Sequence, residues 1–273
     1  MIIDVHTHLA RYAGTRFARM KMEGVRDALL KEMKESGVDM AFLLAGLPEH
    51  AAQTTKDYTP ATAETVALIE GIPQLRVLGA ADMHAGKRDM DELDEYLRER
   101  LIIGIKLYPG YQPIYPNDRR CHPIYRLALK YNVPVLFHSG DTFHPQSYLK
   151  YAHPLNLDDV AVDFPDLKIV IAHAGNPWMT DTAELLYKHK NVYADISGLE
   201  KFGNLTTPNG ELAKRRLQDL MAYSSPRKLL YGTDWALTPM KSYLKFARSL
   251  GIGRNDLGYV LWKNARALFG VNA

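Results

Sequence analysis

A single cysteine, Cys121, stands among 273 residues, so no disulfide can form within the chain. A disulfide-stapled scaffold is excluded, and a reducing cytoplasmic interior is the expected setting. No apolar run approaches the roughly 20 residues a membrane-spanning helix needs, so no membrane association is expected. The first residues, Met-Ile-Ile-Asp-Val-His, already read as a strand, with no basic stretch and apolar run ahead of them to direct secretion. Strong charge of either sign is missing too. The formal net charge is +3, with cationic residues spread along the chain, which leaves no electrostatic footprint for nucleic acid. No Gly-x-Gly-x-x-Gly follows the first apolar run, which weakens a dinucleotide-binding reading. Linkers and low-complexity segments are also absent, so residues 1–273 are expected to form one domain.

What is present is one pattern repeated from end to end: a short apolar run, a loop, then a helical stretch. The runs that read as strands are Ile2–Val5, Asp39–Ala45, Leu75–Asp82, Ile102–Leu107, Val133–Phe137, Leu167–Ala172, Asn191–Ile196 and Lys228–Tyr231. Several are apolar almost throughout, as strands covered on both faces should be. Helical spacing of apolar residues marks Gly24–Ser36, Thr62–Glu70, Met90–Arg100, Pro123–Tyr131, Met179–His189, Glu211–Tyr223, Lys241–Leu250 and Asp256–Phe269. The repeat of roughly thirty residues is that of a βαβ unit. Eight strands alternating with helices predict an α/β fold of the closed (β/α)8 TIM-barrel type. Two long connections, Leu9–Glu23 and Ser139–His153, follow the first and fifth strands and are expected at the C-terminal mouth, where such barrels keep their active sites.

Ligand-type residues sit at the ends of these strands. His6 and His8, at i and i+2, share a strand face with their Cα atoms roughly 7 Å apart, close enough for both to reach one ion. The fifth strand runs into His138, the sixth into His173, and the eighth into Gly232-Thr233-Asp234. Any one of these histidines has an ordinary explanation as a hydrogen-bonded core residue. Four strands ending this way at one rim are hard to explain by packing.

These segments resemble the amidohydrolase superfamily, in the amidohydrolase-related branch whose first strand reads Ile-Asp-x-His-x-His. The matching stretches are Ile3-Asp4-Val5-His6-Thr7-His8, Gly104-Ile105-Lys106-Leu107-Tyr108-Pro109, Val135-Leu136-Phe137-His138, Ile171-Ala172-His173-Ala174-Gly175 and Tyr231-Gly232-Thr233-Asp234. The resemblance implies a metal held by His6, His8, His138 and Asp234, with His173 left to polarise substrate or carry a proton. Such a ligand set leaves a position for water on Zn²⁺, whose charge lowers the pKa of that water toward 7. Asp234 is then placed to accept its proton, and His173 to hydrogen-bond the carbonyl oxygen. Binuclear family members carry a carboxylated, metal-bridging lysine where this chain has Lys106. The alternative is an ammonium that contacts substrate. The Gly-x-Lys-Leu-x-Pro motif often accompanies a single metal in this branch, so one zinc ion is expected, two if Lys106 is carboxylated, with Mn²⁺ the alternative metal.

Asp4, on the same strand face as His6, is read as a group that orients a ligand imidazole, or else as a plain polar residue. Arg11, Arg16, His84 and Trp235 are candidate substrate contacts, the arginines for a carboxylate. His50, His122, His144, His153 and His189 show no comparable placement, and His189 reads as a solvated helix end. The expected reaction is hydrolysis of an amide, lactone or ester-like bond in a small molecule. The alternative within the fold is nonoxidative decarboxylation of an aromatic or enoic acid. A TatD-like nuclease is disfavoured because those enzymes place glutamate at the position of Lys106. A non-catalytic binding protein has no need of five converging polar groups. The sequence leaves room for a homo-oligomer.

Overall fold

The computed structural model describes residues 1–48, 57–84, 86–142, 144–199 and 206–271. Eight strands form one all-parallel sheet in sequence order: β1 (Ile3–Thr7), β2 (Met40–Leu44), β3 (Leu75–Ala80), β4 (Gly104–Leu107), β5 (Val135–Phe137), β6 (Ile169–Ile171), β7 (Val192–Asp195) and β8 (Leu229–Leu230). The ring closes between the last strand and the first, where the Val5 amide donates to the Tyr231 carbonyl (2.9 Å) and the Asp234 amide to that of His6 (2.8 Å). The expected barrel is therefore the observed one.

Alternation along the strands sorts the core into two layers. Phe42, Leu44, Leu78, Leu136, Val170 and Leu230 pack together inside the ring. The intervening residues, such as Leu43, Val77, Ile105 and Ile169, face outward onto the helices. Helix α1 (Met22–Ser36) buries Met22, Val25, Leu29 and Met33 along one stripe and ends at Gly37, whose φ of 71° suits the left-handed cap. The other helices are α2 (Thr62–Leu68), α3 (Lys87–Arg98), α4 (His122–Tyr131), α5 (Asn156–Asp163), α6 (Met179–Lys188), α7 (Pro208–Tyr223), α8 (Met240–Arg248), α9 (Arg254–Gly258) and α10 (Asn264–Phe269). Leu268 and Phe269 of α10 pack onto the interior cluster. Lys168, just before β6, donates to the Leu268 carbonyl (3.2 Å), so α10 plugs the N-terminal end. The opposite end is left open for chemistry.

Two expectations need correction. Helix α5 was not anticipated, and the final helix is not continuous, because a π-helical turn over Tyr259–Lys263 separates α9 from α10. No helix among the described residues is long and apolar enough to cross a membrane.

Candidate active site

The backbone bends sharply where the sixth and eighth strands reach the mouth. His173 and Asp234 both adopt left-handed φ, 57° and 65°, which costs a non-glycine residue on the order of 1 kcal/mol. Each bend is held by its own amide: that of His173 donates to Asp195 Oδ1 (3.0 Å) and that of Asp234 to the His6 carbonyl. Asp4 ties the first and last strands together, accepting from the Thr233 amide (3.0 Å), the Thr233 hydroxyl (2.6 Å) and the His6 amide (3.2 Å). Burial pushes the Asp4 carboxyl up to about 7 against the pull of those donors. Its partners are backbone and Thr233, not an imidazole. The pairing of β1 with β2 slips between Asp4 and Thr7, which breaks the alternation expected to put Asp4 and His6 on one face.

The carboxylate that does orient His6 is Asp195, from the end of β7. Asp195 Oδ2 lies 2.9 Å from His6 Nδ1, and both side chains are fully buried. Burial alone would raise Asp195, but the charge and hydrogen bond of His6, with His173 and Ser197, hold it below the usual carboxylate range. An ionised carboxylate only accepts, so His6 donates from Nδ1 and presents Nε2 as a lone pair. His8 is fixed the same way, with Nδ1 donating to the Leu44 carbonyl (3.1 Å). Burial keeps both rings neutral, lowering His6 to about 4 and His8 to about 3.

Two unprotonated nitrogens therefore face one carboxylate oxygen. Asp234 Oδ1 is 3.7 Å from His6 Nε2 and 3.5 Å from His8 Nε2, and His6 Nε2 is buried with no hydrogen-bond partner. Three acceptors without a proton among them repel unless a cation lies between. Ligands about 2.0–2.1 Å from a tetrahedral ion are about 3.4 Å apart, so the spacing suits a transition metal. His6, His8 and Asp234 thus could hold a metal ion. His6, His173 and Asp195 also cluster within range, but His6 and Asp195 are already joined by a hydrogen bond, and the Nδ1 of His173 is taken up by Ser197.

His138 and His173 flank this trio. His138 Nε2 is 3.0 Å from the Asp141 carbonyl, to which it donates, leaving Nδ1 as the acceptor; its ring centroid is 5.2 Å from that of His173. His138 is thus set apart from the converging trio in this structure. His173 Nδ1 lies 3.1 Å from the Ser197 carbonyl, to which it donates, and 3.0 Å from its hydroxyl, and its ring is 4.7 Å from that of His6. Lys106 is buried with no hydrogen-bond partner for Nζ, which sits 4.8 Å from the centroid of the Tyr108 ring. Burial brings its ammonium down to about 7, although Asp195 and Asp234 pull the other way.

All six of these side chains line one cavity of about 1090 Å³, walled by Tyr12, Tyr108 and Tyr111, with Arg216 of α7 along one side. The two long connections do reach it, through Tyr12 in one and Asp141 and His144 in the other. Four expected substrate contacts do not line it. Arg11 stacks on Tyr58, 4.6 Å from the ring centroid. Arg16 is an exposed partner of Glu32 (3.0 Å). His84 is exposed and accepts from Arg120 (3.2 Å). Trp235 points outward, packing on Phe17 and donating to Glu32 (2.9 Å). Nor is His189 solvated; its Nε2 is 2.6 Å from Asp158. His50 lies outside the described residues.

Residues 3–271 match the amidohydrolase family. The chain belongs to it. Members are metal-dependent enzymes, and this amidohydrolase keeps its converging His/Asp trio at the barrel mouth. No curated protein matches it in sequence. Among solved structures it is similar to an uncharacterised TIM-barrel protein of Bordetella bronchiseptica (20% identity, TM-score 0.74, covering 98% of each chain). It is also similar to a probable 2-pyrone-4,6-dicarboxylic acid hydrolase of Acinetobacter baumannii with citric acid bound (17%, 0.70, 99% of each). A third is a dihydroxybenzoic acid decarboxylase of a Polaromonas species with bound manganese and an inhibitor, 2-nitroresorcinol (15%, 0.70, 100% of this chain and 97% of that one). Identities this low speak for the fold.

Proposed function

We propose that this amidohydrolase is a cytoplasmic, metal-dependent hydrolase of a small molecule with an amide, lactone or ester-like carbonyl. The observation that carries the reading is the convergence of His6 Nε2, His8 Nε2 and Asp234 Oδ1 with no proton among them. These three would hold the ion, and His138 would join through Nδ1, the nitrogen its bond to Asp141 leaves free. An ion so held supplies Lewis-acid polarisation and acidifies a water at neutral pH. The donor set is all nitrogen and oxygen; affinity orders favour zinc over manganese, and manganese remains the alternative.

The chain's own residues would then divide the work. Asp234 has a second oxygen, Oδ2, to take a proton as the nucleophile attacks. His173, held at Nδ1 by Ser197, would aim Nε2 into the cavity and carry that proton to the leaving group. Lys106 would contact an electron-rich group of the substrate.

Decarboxylation is the second reading. Lys106 and Arg216 both line the cavity without an ion-pair partner among the described residues, and tyrosines wall it, which suits a planar carboxylic acid. The decarboxylase among the similar structures adds to that support. One assay separates the two. Purified protein, loaded with Zn²⁺ or Mn²⁺, is screened on lactones, amides and aromatic carboxylates, with carbon dioxide, titratable acid and free amine all measured. Hydrolysis releases acid from a lactone or amine from an amide without carbon dioxide, and decarboxylation releases the gas. A His6→Ala, His8→Ala double variant that keeps full metal occupancy would remove both readings.

A further inference from the structure

We propose that Asp195 is a positioning residue that decides which nitrogen of His6 is offered to the metal. The proposal rests on the reading that His6 binds an ion through Nε2. Asp195 is fully buried, and its two oxygens do unequal work. Oδ2 has one partner, His6 Nδ1 at 2.9 Å. Oδ1 accepts from three donors: the His173 amide (3.0 Å), the Ser197 amide (3.0 Å) and the Ser197 hydroxyl (2.5 Å). Four donors meet one carboxylate, and the two on Oδ1 that are backbone amides of neighbouring strand ends cannot be turned away.

That asymmetry makes asparagine a sharp probe. In Asp195→Asn the amide oxygen has to take the place of Oδ1, since an NH₂ group there would meet the hydrogens of two backbone amides that cannot turn away. The NH₂ group is then turned toward His6 Nδ1, which can only accept from it. His6 must move its proton to Nε2, the very atom that faces Asp234 and the metal. An isosteric change is thus expected to hurt more than removal of the side chain. An aspartate-to-asparagine change has the same effect on the histidine of a serine-protease triad, where the wrong tautomer abolishes most of the rate. His173 is expected to be spared, because its Nδ1 proton goes to the Ser197 carbonyl, which the substitution leaves alone.

The test uses the full-length, metal-free protein and two readouts. Long-range ¹H–¹⁵N spectra assign the proton of each neutral ring. The expected result is Nδ1–H for His6 in the wild type, Nε2–H in D195N, and Nδ1–H for His173 in both. Titration with Zn²⁺ alone should show affinity falling more than 10²-fold in D195N but only about 10–100-fold in D195A, the usual range when a group behind a metal ligand is lost. A side chain that merely packed would lower stability in both variants without moving the His6 proton. Wild-type zinc affinity in D195N would overturn the proposal. So would Nε2–H on His6 in the wild type, a result that needs no variant to fold. A wild-type chain that binds no zinc would instead remove the functional reading, with the tautomers still deciding the role of Asp195.

Discussion

Gly198 follows the seventh strand at a φ of 61°, and a Cβ there would lie 2.8 Å from both Asp234 Oδ2 and His173 Nδ1. Gly198→Ala therefore presses on the carboxylate of the candidate metal trio and on the ring beside it in one step. Ordinary contact begins near 3.4 Å, so one or both groups must yield by about 0.6 Å. Metal–ligand bonds tolerate about 0.2 Å, and a misplacement of about 1 Å in a reacting group costs about 10²-fold in rate. Zinc affinity should fall at least about tenfold, and turnover should fall further once a substrate is known. The backbone adds its own penalty, about 1–2 kcal/mol for alanine in the left-handed region, or about 2–5 °C in melting temperature. Gly251→Ala separates the two effects. Gly251 also has a left-handed φ, 77°, but the nearest atom to its Cβ is Gln218 Nε2 at 3.6 Å. Calorimetry and zinc titration of both variants should show similar destabilisation and a loss of affinity in Gly198→Ala alone. Equal zinc affinity in the two would refute the placement of Asp234 Oδ2 against Gly198 as a constraint on the site.

His173→Asn should keep the metal and lower turnover by about 10²–10⁴-fold, since asparagine tolerates the left-handed φ of that position; release of the ion, read by metal analysis, would make His173 a ligand instead. Lys106→Met removes an unpartnered buried amine, so it should cut activity without halving metal content, whereas loss of one of two ions would favour a carbamate bridge. Because the folded pKa of Lys106 is lowered to about 7 from 10.5, the unfolded chain binds more protons in between. The metal-free wild type should therefore gain stability from pH 7 to 9 relative to Lys106→Met, by up to about 3 kcal/mol in urea titrations. His6 and His8 are lowered to about 4 and about 3, so protons on these rings should compete with zinc only as pH falls through those values. Apart from one proton near 7 from Lys106, affinity that drops steeply from pH 6.5 would contradict their burial as neutral rings.

The strands and the candidate ligands at their ends were legible because both follow short-range rules. Apolar runs such as Val135–Phe137 must be strands if both faces are covered, and His138 stands out as the first polar residue after one. Helix α5 escaped notice because its stripe is only Leu157, Val160 and Ala161, too short a window between Pro154 and Pro165 for periodicity to declare itself. Asp195 lies inside a run that reads as ordinary strand, Asn191–Ile196, yet a carboxylate in the seventh strand, level with candidate ligands in its neighbours, is the available signal. Its partner, His6, is 189 residues away, and no local pattern reports such a contact. Asp4 shows the converse failure. A one-residue slip in the pairing of β1 breaks the alternation on which the expected shared face depended. Their neighbours in the chain suggest pocket positions for Trp235 and Arg16. Both are instead engaged by Glu32 of α1, a contact set by helix packing.

The central claim is that one cation is held between His6, His8 and Asp234, and anomalous diffraction tests it most directly. Crystals loaded with Zn²⁺, and separately with Mn²⁺, are measured on either side of the metal's absorption edge. A single strong peak is expected about 2.0–2.2 Å from His6 Nε2, His8 Nε2 and the Asp234 carboxylate. A peak bound by Asp195 in place of Asp234, or none at the barrel mouth at saturating metal, would contradict the claim.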